Sequence, residues 1–433
     1  MDQQHEKEEL LREVFTPFEP IESEEYLRGR DVEMERLKEV LLNRGQQALL
    51  FGTRGAGKTS IAKVYMKYAA KKGYEVIRVQ CSEGYNFETI SQHILRKAGI
   101  DLESETTETS TEVYAEAAGE AEGSIPLVGK AKGSGKGGLK KSNSKTSQIQ
   151  RHLNCPDWLA EMLLTKDSKA KYLIVLDEYE EITCSRTHSK IAGTLKVLSD
   201  EHKHCKMLVV GVSETTKNLI RAHKSLPRAL AEIHLKNISD TALSEIIESG
   251  MSILRCSISK DIIDTIIQKS HGQPYFTHLM CLRSAEIAIK QGGQYEITQT
   301  IFRDALIKCA IDAAPHLQVD LDKIEGHKHT AQYTLVLFAA SKCGSKGFSI
   351  GSVQQKVEDI LTGRNIASPN KEYYRNRFPK GTSCRKAVRE ALNWLANKDI
   401  LMRPNNKRGF YAFTDPRMAS YISMDVDKRG FNS

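Results

Sequence analysis

The segment Gly52-Thr53-Arg54-Gly55-Ala56-Gly57-Lys58-Thr59 meets every specified position of the spacing G-x-x-x-x-G-K-[ST]. Gln47-Ala48-Leu49-Leu50-Phe51, just before it, is a short apolar run that reads as a buried strand. Ser60 to Ala70 reads as the helix that follows. A strand, a glycine loop and a helix in this order leave the chain little freedom around them. Glycines let backbone N–H groups close around phosphate oxygens, and the helix N-terminus adds a partial positive charge. In that arrangement Lys58 reaches the β- and γ-phosphates and the Thr59 hydroxyl holds Mg²⁺. Gly52, Thr53, Arg54, Gly55, Ala56, Gly57 and Ser60 complete the expected cradle. The expected ligand is a nucleoside triphosphate, ATP, with Mg²⁺ as its metal.

The 433 residues give room for two or three domains, and 40% hydrophobic with 27% charged residues fit a globular protein. No apolar run reaches the ~18 residues that would span a membrane. The polar, acidic N-terminus is unlike a secretory signal. Nine scattered cysteines with no C-x-x-C pair read as free thiols in a reducing compartment, so the expected location is cytoplasmic. The net charge of +8 is uneven. From Thr330 to Ser433 there are 18 Lys and Arg against 8 Asp and Glu, so the rest of the chain is slightly acidic. A basic C-terminal module suggests an anionic partner, with nucleic acid the leading candidate and a solvated basic surface the alternative.

Residues 1–25 read as a helical or mobile lead-in. An amphipathic helix follows to Asn43, with Met34, Leu37, Val40 and Leu41 towards one side and Asp31 as N-cap. Met34 stands where a capping box needs Glu or Gln. Glu75 to Cys81 reads as a strand and Phe87 to Ala98 as a helix. Residues 102–150 are acidic and Thr-rich at first, then rich in Gly, Lys and Ser. They read as a polar insertion, either disordered or a projecting hairpin. Tyr172 to Leu176, Met207 to Val212 and Ala231 to Leu235 read as further strands. Strands alternating with helices imply an α/β fold, a parallel sheet with helices on both faces. Ser239 to Ile311 is helical throughout and reads as an all-α lid. The expected domains are therefore a P-loop core over 26–237, a lid over 238–315 and a C-terminal module over 330–425.

Asp177-Glu178 closes an apolar strand. In a chain with a phosphate loop, Asp177 is expected to bind Mg²⁺, usually through water, and Glu178 to orient or deprotonate the attacking water. Ser213, at the tip of a neighbouring strand, is either a contact to the γ-phosphate or water, or a strand-end cap. Arg228, in Ser225-Leu226-Pro227-Arg228, precedes the last strand. It is either a surface cation or a guanidinium inserted into the neighbour's site in an oligomer, with Arg221 the second candidate.

The P-loop, the acid pair after an apolar strand, the polar residue ending the next strand and the arginine before the last strand together resemble an AAA+ ATPase. The resemblance spans roughly residues 26–311, apart from the insertion. It is closest to the branch with origin-recognition initiators, transposition-regulator ATPases and STAND signalling ATPases. Arg28-Gly29-Arg30-Asp31 is similar to the adenine-side GR(D/E) box of these families, which implicates Arg30 in nucleotide binding. Where initiators carry a lid arginine, this chain has Gly272-Gln273-Pro274-Tyr275. That looks like the G-x-P of STAND proteins, whose proline packs against adenine. The resemblance thus implies a role for Pro274, with His271 beside it, in reading whether nucleotide is bound.

Three helical segments, Ala331–Ala340, Ser349–Ile360 and Thr382–Asn397, precede a hairpin pattern over Ile400–Arg403 and Phe410–Phe413. Three helices and a basic two-stranded wing make a winged helix-turn-helix. It is similar to the C-terminal module of the initiator ATPases, including the Phe413-Thr414-Asp415-Pro416 exit. Lys380, Arg385, Lys386 and Arg389 are the expected DNA contacts of the third helix, and Lys407 and Arg408 those of the wing tip. The loop from Thr362 to Lys380, with Tyr373, Tyr374 and Phe378 among its basic residues, is expected to extend that face. The whole chain reads as an ATP-hydrolysing switch, a homo-oligomer with shared ATP sites, acting on double-stranded DNA. The alternative is a STAND-like signalling ATPase whose winged helix binds a protein effector.

Overall fold

A computed structural model describes residues 2–100, 153–165, 170–201, 204–212, 219, 226–292, 295–313, 315–325, 327–344, 347–362, 374, 378, 382–404 and 407–428. The chain forms two compact units. One contains residues 32–52 and 61–235, the other residues 1–31, 53–60 and 236–433. The expected insertion over 102–150 lies outside the described residues, as do Ser213, Arg221 and Lys380.

The first unit is built on a parallel sheet of β1 (Gln47–Gly52), β2 (Glu75–Gln80), β3 (Tyr172–Asp177), β4 (Cys205–Gly211) and β5 (Leu230–Leu235), in the order β2-β3-β4-β1-β5. β3 and β4 are buried along their whole length, as central strands covered on both faces must be. Leu49, Ile77, Val79, Ile174, Leu176, Met207 and Val209 point to one face. They pack there with Ile90 and Ile94 of the helix Phe87–Lys97, Leu159 and Leu163 of Pro156–Thr165, and Ile191 and Leu195 of Ser185–Asp200. The alternate residues Ala48, Leu50, Leu173, Val175, Leu208 and Val210 are equally buried. Because all five strands run the same way, β1, into the P-loop, and β3, into the acid pair, end at the same edge with only β4 between them. That is a separation of about 10 Å at the usual strand spacing.

In the second unit the helix Asp2–Val14 docks through Leu11, Val14 and Phe15. A Cβ on Gly250 would lie 2.4 Å from the Phe15 ring, so only glycine admits that ring. The helices Asp240–Ile253, Lys260–Ser270, Pro274–Gln291 and Gln299–Asp312, with the short parallel pair β6 (Ser257–Ile258) and β7 (Glu296–Ile297), form the expected helical region. Then come the helix Thr330–Ser341, β8 (Phe348–Ser349), the helices Ile350–Thr362 and Thr382–Asn397, β9 (Leu401–Met402), β10 (Phe410–Phe413) and the helix Met418–Lys428. β8, β10 and β9 form an antiparallel sheet with β10 in the middle. The hairpin expected from sequence is therefore joined by a third strand.

One apolar core runs through this unit, from Leu279 and Cys309 to Val388, Leu392, Tyr421 and Met424. Tyr374 and Phe378, expected on an exposed basic face, are each only 5% exposed and belong to this core. Their rings are the apolar anchors of an otherwise polar stretch. All nine cysteines are free thiols. Among the described residues no helix is long and apolar enough to cross a membrane.

Candidate functional site

The glycines of the P-loop are fixed by geometry. At Gly52 a Cβ would lie 2.6 Å from the Leu235 carbonyl oxygen, because β1 and β5 pair there. Gly55 and Gly57 have φ of +83° and +87°, a left-handed conformation open to glycine at little cost. The helix then starts at Lys58, so its first N–H groups have no intrahelical acceptor and face the loop. Lys58 Nζ donates to the Thr53 carbonyl at 3.2 Å. Ser60 Oγ accepts from the Ile21 N–H at 3.1 Å, which ties the lead-in to the loop. Arg30 is buried, and its Nη2 donates to the Ala56 carbonyl at 2.7 Å, so this guanidinium braces the loop backbone.

Residues from far along the sequence meet the same loop. Gln273 is buried. Its Nε2 donates to the Pro416 carbonyl at 2.8 Å, while its Oε1 has no hydrogen-bond partner among the described residues. A Cβ on Gly55 would lie 3.2 Å from that Oε1 and 3.5 Å from Cγ and Cδ of Arg417. A Cβ on Gly57 would lie 3.9 Å from Cγ of Pro274. Arg417 is held by Asp415 through Nε (3.0 and 3.2 Å) and Nη2 (2.6 Å), with 18% and 16% of the two side chains exposed. Left-handed glycines, helix-start N–H groups without an intrahelical acceptor and the orphaned Gln273 Oε1 beside them fit an anionic ligand carrying hydrogen-bond donors of its own. Pro274 was expected at the nucleotide. Gln273 and Arg417 were not, and the only sequence signal for Arg417 was its place after the Asp415-Pro416 exit.

His271 Nε2 lies 3.4 Å from Ser423 Oγ. Burial, with Lys342 and Lys269 nearby, holds this imidazole down at about 4.

The acid pair lies at the carboxyl end of β3. Asp177 is 1% exposed. Its Oδ2 accepts from Arg78 Nε at 3.2 Å and Nη2 at 2.7 Å, and its Oδ1 from the Glu178 N–H at 3.0 Å. Glu178 has φ +55° and ψ +39°, the left-handed region, where the chain turns from β3 into the short 3₁₀ turn Tyr179–Glu181. Its Oε2 accepts from Gln80 Nε2 at 2.9 Å. Tyr179, buried behind the turn, places its hydroxyl 3.0 Å from Nδ1 of His188, and burial keeps that imidazole below its ordinary pKa. Arg78 and Gln80 thus clamp both carboxylates from β2. The pattern was present in sequence, since two polar side chains alternate along a strand, but the pairing of β2 with β3 was not.

Arg228 is exposed in the turn Leu226–Arg228, before β5. β5 runs parallel to β1 with Leu230 opposite Gln47, so Arg228 lies at the amino edge of the sheet, opposite the edge where Gly52 ends β1.

On the helix Thr382–Asn397, Val388, Leu392 and Leu395 are buried, while Arg385, Lys386 and Arg389 are exposed. Lys386 Nζ is 3.9 Å from Glu390. Lys407 and Arg408 are exposed before β10, with Lys407 Nζ 5.3 Å from the Phe410 ring centroid. Asn393 Oδ1 accepts from Arg403 Nη2 at 2.6 Å and from the Tyr411 hydroxyl at 2.7 Å, which fastens the sheet to the basic helix.

Residues 15–284 match the family model of Novel STAND NTPase 1. No curated protein matches the chain. Among solved structures it is similar to the Walker-type ATPase PABY2304 of Pyrococcus abyssi, at 16% identity and a TM-score of 0.49 over 94% of this chain and 99% of that one. It is also similar to Cdc6p from Pyrobaculum aerophilum, at 14% identity and 0.46 over 97% and 98%. The Aeropyrum pernix Orc1 protein, solved in complex with DNA, matches at 15% identity and 0.46 over 96% of each chain. The family match covers well over half of the chain and includes the P-loop, the acid pair and the Gly272-Gln273-Pro274 segment, and on it the chain belongs to the Novel STAND NTPase 1 family of P-loop ATPases.

Proposed function

We propose that this chain is an ATP-binding and ATP-hydrolysing switch whose nucleotide state is read by its C-terminal module. The observation that carries this reading is the packing of Gln273 and Arg417 against Gly55. A ligand that fills the P-loop must touch or displace a segment that begins the last helix of the module. Lys58, Thr59 and the loop N–H groups would hold the phosphates, with Arg30 keeping the loop in shape. Thr59 and Asp177 would hold Mg²⁺, which when bound neutralises charge on the phosphate oxygens. Glu178 would orient the attacking water and take its proton. Ser213 remains a proposed phosphate contact. The position of Arg228 at the amino edge suits action on a neighbouring copy better than on its own site, so a homo-oligomer with shared sites follows from this reading.

The output proposed for the module is double-stranded DNA. Its order of elements, α-β-α-α-β-β, and its exposed Arg385, Lys386, Arg389, Lys407 and Arg408 support a winged helix with a basic face. Lys380 belongs to the same proposed contact set. The second reading, a protein effector held by the module in a STAND-type signalling ATPase, is favoured by the family match. A salt titration of binding to random duplex DNA tests the choice. For Z phosphate contacts the logarithm of affinity falls with a slope of about −0.9Z. Absence of binding at low salt, with and without ATP, removes DNA and leaves the effector reading.

A further inference from the structure

Asp177 is a carboxylate that cannot leave its place, and Arg78 is a cation that can. The carboxylate is almost fully buried and accepts three hydrogen bonds, two from Arg78 on Oδ2 and one from the Glu178 N–H on Oδ1. The Arg78 side chain keeps 32% of its surface exposed. A carboxylate has about four lone-pair positions, so three are taken. A buried charge without a partner is costly, and the Arg78 guanidinium supplies that partner. A divalent cation facing Asp177, directly or through water, would meet a second cation already seated on the same carboxylate. Repulsion in a partly dry site pushes the more mobile cation out.

We propose that Arg78 is the resident counter-ion of Asp177 in the nucleotide-free chain. It yields Oδ2 when magnesium nucleotide is loaded, so the pair sets the magnesium concentration at which the site fills. Arg78 is then a positioning residue, and its release belongs to loading. This rests on the reading of Asp177 as the magnesium carboxylate.

The test uses the full chain without nucleotide, and MgCl₂ alone as the probe. Without magnesium, Arg78→Ala melts below the wild type, because Asp177 is left uncompensated. Millimolar MgCl₂ restores part of that loss in Arg78→Ala, and leaves the wild type and the Arg78→Ala/Asp177→Asn double variant unmoved. In binding titrations with a fluorescent ATP analogue, the magnesium concentration for half-saturation falls about tenfold in Arg78→Ala, a typical coupling between two sites. Arg78→Lys, which keeps a charge but loses the two-pronged contact, falls between, and it carries the test alone if the alanine variant does not fold. Equal half-saturation in wild type and variant overturns the exchange, as does a magnesium response that survives in the double variant. Asp177→Asn separates the two layers. If it leaves the magnesium dependence of ATP binding intact, the reading of Asp177 fails. If it abolishes that dependence while Arg78→Ala behaves as wild type, only the exchange fails.

Discussion

Glu178 holds a backbone conformation that costs an L-residue with a Cβ roughly 1–2 kcal/mol. Gln80 on the neighbouring strand and the buried Tyr179–His188 pair behind the turn hold it there. Such strain is tolerated when the side chain is needed at that point. Glu178→Gln keeps the shape and the Gln80 partner but removes the base, so ATP turnover should fall about 10²- to 10⁴-fold with ATP affinity kept. An unchanged turnover would end the assigned role. Glu178→Gly removes the same base and relieves the backbone, so it should be as inactive while melting no lower than Glu178→Gln. Two histidines set a pH limit at the same scale. His271 and His278 are each held down at about 4, by burial first. Their folded values lie below the unfolded one, so the unfolded chain binds more protons between about pH 4 and 6.5. Stability is then full above 6.5 and falls as the pH drops, by up to about 1.4 kcal/mol per unit for each group. His278→Gln keeps an acceptor for the Thr16 N–H and does not titrate. Melting curves from pH 7 to 4.5 should show a shallower acid loss in that variant, and an equal slope would exclude His278 as a source.

At the scale of elements, what could be read in the sequence was what is periodic or chemically marked. β3 is six buried residues ending in an acid, and Val388, Leu392 and Leu395 mark one side of a helix whose other side carries Arg385 and Arg389. β8 was missed because two residues, Phe348 and Ser349, have no period. Tyr374 and Phe378 were misread because aromatic residues among cations look the same in sequence whether the rings face inward or outward. The partners of the acid pair were missed because Arg78 and Gln80 reach it across a pairing of strands about a hundred residues apart in sequence. The legible helix gives a clear prediction. Arg385→Ala/Arg389→Ala changes only exposed side chains, so the melting temperature should stay within about a degree or two, since surface changes are usually within ±0.5 kcal/mol. Affinity for random duplex DNA should drop at low salt, with the salt slope smaller by about 2. Unchanged affinity and slope would remove this face from the DNA interface.

Across the whole molecule, the notable fact is that residues 53–60 and residues 236–433 form one compact unit although the sheet residues of the first unit separate them in sequence. The last helix, Met418–Lys428, is anchored on the lid. Lys269 Nζ donates to the Ser423 carbonyl at 2.7 Å and Ser420 Oγ to the Ser270 carbonyl at 2.9 Å, with Tyr421 and Met424 buried in the same core. No spacing motif announces this, because its apolar residues come from helices that each look self-sufficient. The physical consequence is a lever. Gln273 is hydrogen-bonded to the Pro416 carbonyl through its Nε2 and faces Gly55 with its Oε1, so a single side chain bridges loop and module. If nucleotide at the loop is read through it, ATP should change amide exchange in the segment around 415–425 of the wild type. Gln273→Ala should bind ATP with affinity within a few-fold of wild type and show a much smaller change there, because the amide that spans the two is gone. Gln273→Glu keeps the length but loses the donor to Pro416, and should fail in the same way. Equal ATP-dependent exchange in all three proteins would mean that the signal, if there is one, leaves the loop by another route. In that case Arg417→Ala, which removes the other side chain against Gly55, is the variant whose exchange pattern should differ.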